Sequence, residues 1–117
     1  MTSPRLLLHL EGGALLAAAA AGYWQSGGPW SLFLVLFFAP DLSFLGFVAG
    51  PRVGAVCYNA AHFLVPPLAL AVWGMLAASP LSIEIGLIWL AHIGLDRMLG
   101  YGLKYPTAFK DTHFQRV

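Results

Sequence analysis

Five ionisable side chains lie inside long apolar stretches of this 117-residue sequence: Glu11, Asp41, His62, His92 and Asp96. Ionisable groups are costly within a bilayer, where by default they mark functional sites. Neutral imidazoles and carboxylates are also the ligands that zinc, iron and manganese accept. These residue types therefore predict a divalent transition-metal site inside the membrane, holding one or two ions.

The spacing of these residues supports this interpretation. His92 and Asp96 are four apart and share a helix face, so both could chelate one ion. Counted in helical residues, all five lie in the half of the bilayer nearest the chain termini, one or two on each of four predicted helices. Pro40, Pro66 and Pro67 remove backbone donors nearby, as expected where backbone lines a cavity or is buried in protein.

The predicted metal ligands are Glu11, Asp41, His62, His92 and Asp96, with His113 added if the C-terminal tail folds back. In a hydrolase, the metal would activate water and Glu11 or Asp41 would be the catalytic base. With iron, oxidation of an apolar substrate is equally consistent with this ligand set. The sequence thus favours a metalloenzyme acting on a lipid or other apolar substrate, without choosing the reaction.

Two other functions fit the same residues. The carboxylates and imidazoles could relay protons or coordinate an ion in a transporter or channel subunit. They could instead form a hydrogen-bonded polar core in a structural subunit of a membrane complex. In that case the expected pairs are Asp96 with Arg52 or Arg97, His62 with Asn59, and His92 with Asp41.

The elements that must position these side chains follow from composition. The chain is 59% hydrophobic and 9% charged, whereas soluble domains carry about 25% charged residues. Glycine and proline punctuate four apolar runs, each long enough to cross a bilayer. We predict one transmembrane domain, residues 1–117, all-α and folded as an antiparallel four-helix bundle. Its helices cover about 6–24, 30–50, 53–78 and 81–100, followed by a cytoplasmic tail, 103–117.

The basic residues predict how the chain is oriented in the membrane, and its small and apolar residues indicate what it contacts there. All six basic residues fall at the end of the bundle that carries both termini, which the positive-inside rule makes cytoplasmic. Gly46, Gly50 and Gly54 form a small-residue stripe suited to close helix packing or to a homo-oligomer. Membrane lipid is the expected partner, and no basic run indicates nucleic acid. The single cysteine, Cys57, excludes an internal disulfide.

Several segments resemble a family of small bacterial membrane proteins catalogued as a domain of unknown function. The segments are Pro40–Leu42, Tyr58–His62 (Tyr-Asn-Ala-Ala-His), His92–Arg97 (His-Ile-Gly-Leu-Asp-Arg), Gly100–Tyr105 (Gly-Tyr-Gly-Leu-Lys-Tyr) and Phe109–His113 (Phe-Lys-Asp-Thr-His). The resemblance covers nearly the whole chain. It implies a bacterial inner-membrane protein of four helices, carries no established activity, and draws attention to His113.

Overall fold

The computed structural model describes residues 4–100 of the chain, except for the side chain of Phe44. The described residues contain no β-strand, so the predicted all-α class is confirmed for this part of the chain. The elements in chain order are α1 (Pro4–Ser26), α2 (Trp30–Phe37), a 3-10 helix (Ala39–Ala49), α3 (Pro51–His62), α4 (Val65–Leu76) and α5 (Pro80–Leu99).

Prolines break two of the predicted helices. Within the predicted helix 30–50, α2 ends at Phe37 and the 3-10 helix begins at Ala39. The change lies just before Pro40, which has no N–H to donate to the Leu36 carbonyl. The predicted helix 53–78 ends as α3 at His62, and Phe63 is extended, with φ −100° and ψ 161°. Pro66 and Pro67 then lie in the first turn of α4, where a helix needs no backbone donor.

Three stretches of the described chain are long and apolar enough to cross a membrane: Pro4–Ser26, Trp30–Ala49 and Pro51–Leu76. Large apolar side chains also cover much of the surface; Val48 is 89% exposed and Leu76 is 81% exposed. Contiguous exposed apolar surface of this kind is typical of a face that meets lipid or another protein. The fourth predicted span, α5, has 20 residues but carries Glu84, Asp96 and Arg97, and is not among the three.

Helix α5 packs most extensively against α1, and glycines allow their close approach. A methyl group on Gly94 would lie 2.6 Å from the backbone nitrogen of Leu16, and one on Gly12 would meet the backbone of Met98. Further along, Gly22 faces Leu87. Because residue numbers rise in α1 as they fall in α5, these two helices are antiparallel.

Helices α4 and α2 also pack against α5, and their contacts show in which direction each runs relative to it. Gly74 of α4 packs against Ile83 and Pro67 of α4 against Gly86, so α4 runs antiparallel to α5. Helix α2 runs parallel to α5, because the turn before it faces Glu84 while Phe37, at its end, faces His92.

The predicted stripe of Gly46, Gly50 and Gly54 lies where the 3-10 helix and α3 pack against each other. Gly46 of the 3-10 helix packs on Cys57 of α3, and Gly54 of α3 packs on Phe47 of the 3-10 helix. These contacts bring the ends of the 3-10 helix and α3 together, and with them two of the predicted ligands.

Candidate metal site

Four of the predicted ligands converge in the structure. Asp41 comes from the first turn of the 3-10 helix, His62 is the last residue of α3, and His92 and Asp96 lie one turn apart on α5. One ligand atom from each lies within 4.8 Å of the others, so the cluster could hold a metal ion. Both proline-induced breaks lie beside this cluster, as predicted, since Asp41 follows Pro40 and His62 precedes the break before α4.

The distances between these ligand atoms suit a single ion. The two imidazole Nε2 atoms, of His62 and His92, are 3.2 Å apart. His62 Nε2 lies 3.6 Å from Asp41 Oδ1 and 3.4 Å from Asp96 Oδ2. The corresponding distances from His92 Nε2 are 3.2 and 3.3 Å. Tetrahedral coordination with bonds of about 2.0–2.1 Å requires six edges of about 3.3–3.4 Å. The five distances above are close to this value, and the sixth, between the Asp41 and Asp96 oxygens, is within 4.8 Å.

The cluster is buried on the imidazole side and more open on one carboxylate side. The side chains of His62 and His92 are 2% and 3% exposed, and that of Asp96 is 17% exposed. The side chain of Asp41 is 39% exposed. Asp41 is therefore the member through which a substrate or solvent molecule would approach.

A backbone hydrogen bond fixes the tautomer of His62. Its Nδ1 lies 2.8 Å from the carbonyl oxygen of Tyr58, and because a carbonyl only accepts, Nδ1 carries the proton and donates. The lone pair of Nε2 is then directed into the cluster. The Tyr58 ring stacks on the imidazole, with ring centroids 3.7 Å apart and an interplanar angle of 6°. An imidazole oriented through its second nitrogen is the usual arrangement at protein metal sites.

The imidazole of His92 is held by packing and, at Nε2, by the carboxylates of Asp41 and Asp96. Phe37 meets the imidazole edge-on, with centroids 5.4 Å apart and an angle of 67°. Among the described residues, buried His92 Nδ1 has no partner within hydrogen-bonding geometry, although the Phe37 carbonyl lies close enough to interact electrostatically. The position of its Nε2 is set by α5, which also carries Asp96.

Two residues of α5 satisfy carbonyls that the break after α3 leaves without a helical donor. Because Pro66 has no N–H, the carbonyl of His62 instead accepts a hydrogen bond from Arg97 Nη2, at 2.9 Å. The Ala61 carbonyl accepts one from the Trp89 indole. These roles of Arg97 and Trp89 were not predicted from the sequence. The available signal was the proline pair, which requires donors from a neighbouring helix.

The charges around the cluster are compatible with a bound divalent ion. Two carboxylates bring two negative charges, which one divalent ion bound by two neutral imidazoles would cancel. The Arg97 guanidinium also lies near Asp96, so Arg97 and one imidazolium would balance the same two charges in a metal-free cluster.

The other predicted site residues are not brought into this cluster. Glu11 is exposed and lines a separate cavity of about 320 Å³ that also contacts Leu64 and Arg97. It lies off the face of α1 that packs on α5. His113 falls outside the described residues, so its proposed ligation stays a prediction.

Comparison with protein families agrees with the resemblance seen in the sequence. One family's sequence profile matches residues 5–117, nearly the whole chain. The chain belongs to this family, described as domain of unknown function DUF4260. Neither the curated proteins nor the solved structures gave a match to the chain. All four members of the cluster lie in segments on which the resemblance rests, but the family description assigns them no role.

Proposed function

We propose that this chain is a membrane-embedded metalloprotein that binds one divalent transition-metal ion through Asp41, His62, His92 and Asp96. The observation that carries the proposal is the convergence of four ligand atoms, with five of their six mutual distances at 3.2–3.6 Å. The hydrogen bond that directs the His62 Nε2 lone pair into the same point supports it.

The ligand set favours zinc, iron or manganese, and the choice would decide the role of the site. Two imidazole nitrogens and two carboxylate oxygens suit each of these ions. With zinc, four protein ligands would complete a tetrahedron, the arrangement typical of structural sites. With six-coordinate iron or manganese, two positions would remain for substrate. A monodentate or displaceable Asp41, the most exposed member, would open a position in either case.

We further propose an enzyme that acts on a lipid or other apolar substrate. When bound, the ion would supply Lewis acidity or redox chemistry. Asp41 is the better placed of the two predicted catalytic carboxylates, because it belongs to the cluster and is its most exposed member. A catalytic role for Glu11 would require substrate to reach the separate cavity beside Arg97.

The proposed setting is a bacterial inner membrane crossed four times, with both termini cytoplasmic. Support comes from the basic residues at one end of the predicted bundle and from the directions of the helices around α5. Helix α5 would be the fourth span despite its charges. Its buried face, Gly86–Gly94, is surrounded by protein, and Asp96 and Arg97 interact with His62 on α3.

Elemental analysis of the detergent-purified protein tests the metal site. We expect about one equivalent of a transition metal in the parent and its loss in His62→Ala and His92→Ala variants that keep their helical circular dichroism. His9→Ala is the matched control, because His9 donates to the Met98 carbonyl outside the cluster and should retain the metal. Absence of metal after reconstitution with zinc, iron and manganese would refute the proposal and favour a proton relay or a structural polar core.

A further inference from the structure

An apolar cavity of about 280 Å³ adjoins the proposed metal site. Its walls come from α2, the 3-10 helix, α3 and α5, and it is open on one side. Three residues that neighbour its wall residues in the sequence, Val35, Phe38 and Leu42, have exposed apolar side chains. In a membrane, this opening would face lipid.

The cavity and the metal site share their supporting segments. Pro40 and Ala61, in the cavity wall, directly precede Asp41 and His62. Ile88, also in the wall, lies one turn before His92 on the same face of α5. A molecule in the cavity would therefore lie beside the ligands of the ion rather than at a remote surface.

The wall of the cavity is almost entirely apolar. Two side chains in its wall carry polar atoms, Ser43 and Trp89, and both are already used. The Ser43 hydroxyl donates to the Pro40 carbonyl at 2.7 Å, and the Trp89 indole donates to the Ala61 carbonyl. Because no free donor is offered by these two groups, an apolar occupant is favoured over a hydrogen-bonding one.

The cavity extends from the site toward the middle of α5. Ile85, in the wall, precedes His92 by seven residues, or about 10 Å along the helix axis. In the proposed orientation, the site then lies toward the cytoplasmic leaflet and the cavity lies nearer the bilayer centre. The acyl chain of a lipid in the cytoplasmic leaflet also runs from the cytoplasmic side toward the bilayer centre, as the line from the site to the cavity does.

We propose that this cavity binds the acyl chain of a membrane lipid and places its upper part or headgroup linkage at the metal site. An apolar cavity of about 150 Å³ is large enough for benzene, so this one accommodates a longer stretch of chain. The catalytic consequence rests on the proposed metal function. Chain binding itself does not, and can be measured without metal.

Trp89 provides a reporter inside the cavity wall. Replacing Trp24, Trp30 and Trp73 by Phe leaves it as the single tryptophan. The probe is a lysophosphatidylcholine with two bromine atoms in its chain, titrated into the detergent-solubilised protein. We expect saturable quenching of Trp89 fluorescence, relieved by the unbrominated lipid.

Two neighbouring alanines supply matched variants in this single-tryptophan protein. Ala61→Phe fills the cavity and should weaken binding about tenfold, since that corresponds to losing contact with about two methylene groups. Ala60→Phe makes the same change at an exposed position outside the wall and should leave binding unchanged. Ala39→Phe, in the wall but away from His62, repeats the test if Ala61→Phe misfolds.

Unsaturable quenching, or equal quenching in the cavity-filled and control variants, would overturn the proposal by showing ordinary contact with detergent-dissolved lipid. Metal content measured on the same samples separates the two claims. Specific chain binding without metal would contradict the metalloprotein proposal alone. Metal without saturable chain binding would contradict this inference alone.

Discussion

The contact between Arg97 and the His62 carbonyl gives a quantitative prediction. Arg97→Met removes the donor at 2.9 Å, and Pro66 offers no N–H to replace it. Hydrogen bonds to charged groups contribute about 1.5–3 kcal/mol in water-soluble proteins. Interhelical bonds measured in membranes contribute about 0.6 kcal/mol on average and at most about 1.7 kcal/mol. We therefore expect the free energy of unfolding to fall by about 1–2 kcal/mol.

The assay is unfolding by sodium dodecyl sulfate in mixed micelles, followed by circular dichroism. Arg52→Met is the control, because it removes the same charge and a similar stem from an exposed position at the start of α3. It should change the free energy of unfolding by less than about 0.5 kcal/mol. Equal effects of the two substitutions would refute the role assigned to Arg97 at the break between α3 and α4.

Three further substitutions test packing, orientation and ligation. Gly94→Ala should lower the free energy of unfolding by about 1–3 kcal/mol in the same assay, because the new methyl group meets the backbone of α1. Gly13→Ala is the control and should be tolerated, because its methyl group meets only the flexible side chain of Met98, at 3.4 Å. Tyr58→Ala removes the ring stacked on His62 and should weaken metal affinity about tenfold or more in a chelator competition, while Tyr58→Phe should not. Glu11→Gln should leave metal content unchanged, and metal loss would place Glu11 in the site after all.

The sequence predicted the cluster because depth along a helix can be counted from its ends. His62, His92, Asp96 and Asp41 are predicted to lie in the same half of the bilayer, and the structure brings the four together. Depth alone does not give the rotation of a helix about its axis. For this reason Glu11 was predicted as a ligand although its side chain is not brought into the cluster. The face of α1 that packs inward carries Gly12, Ala19 and Tyr23 at helical spacing, which leaves Glu11 to one side.

The breaks in the helices were only partly predictable. Pro66 and Pro67 indicated freed carbonyls in the third predicted helix, and the chain does interrupt there. The donors that satisfy those carbonyls come from Trp89 and Arg97, about 28 and 35 residues away in sequence, and local patterns do not reveal such contacts. The long 3-10 helix Ala39–Ala49 was also unpredicted, since its apolar sequence suits an ordinary helix equally well.

X-ray absorption spectroscopy at the edge of the bound metal tests the central claim most directly, since it reports the atoms that contact the ion. We expect two imidazole ligands and carboxylate oxygens, at about 2.0–2.2 Å if the ion is zinc. His62→Ala should reduce the imidazole contribution or abolish binding. A shell of sulfur at about 2.3 Å, as from Cys57, or a spectrum without imidazole scattering, would contradict the assignment of Asp41, His62, His92 and Asp96 as ligands.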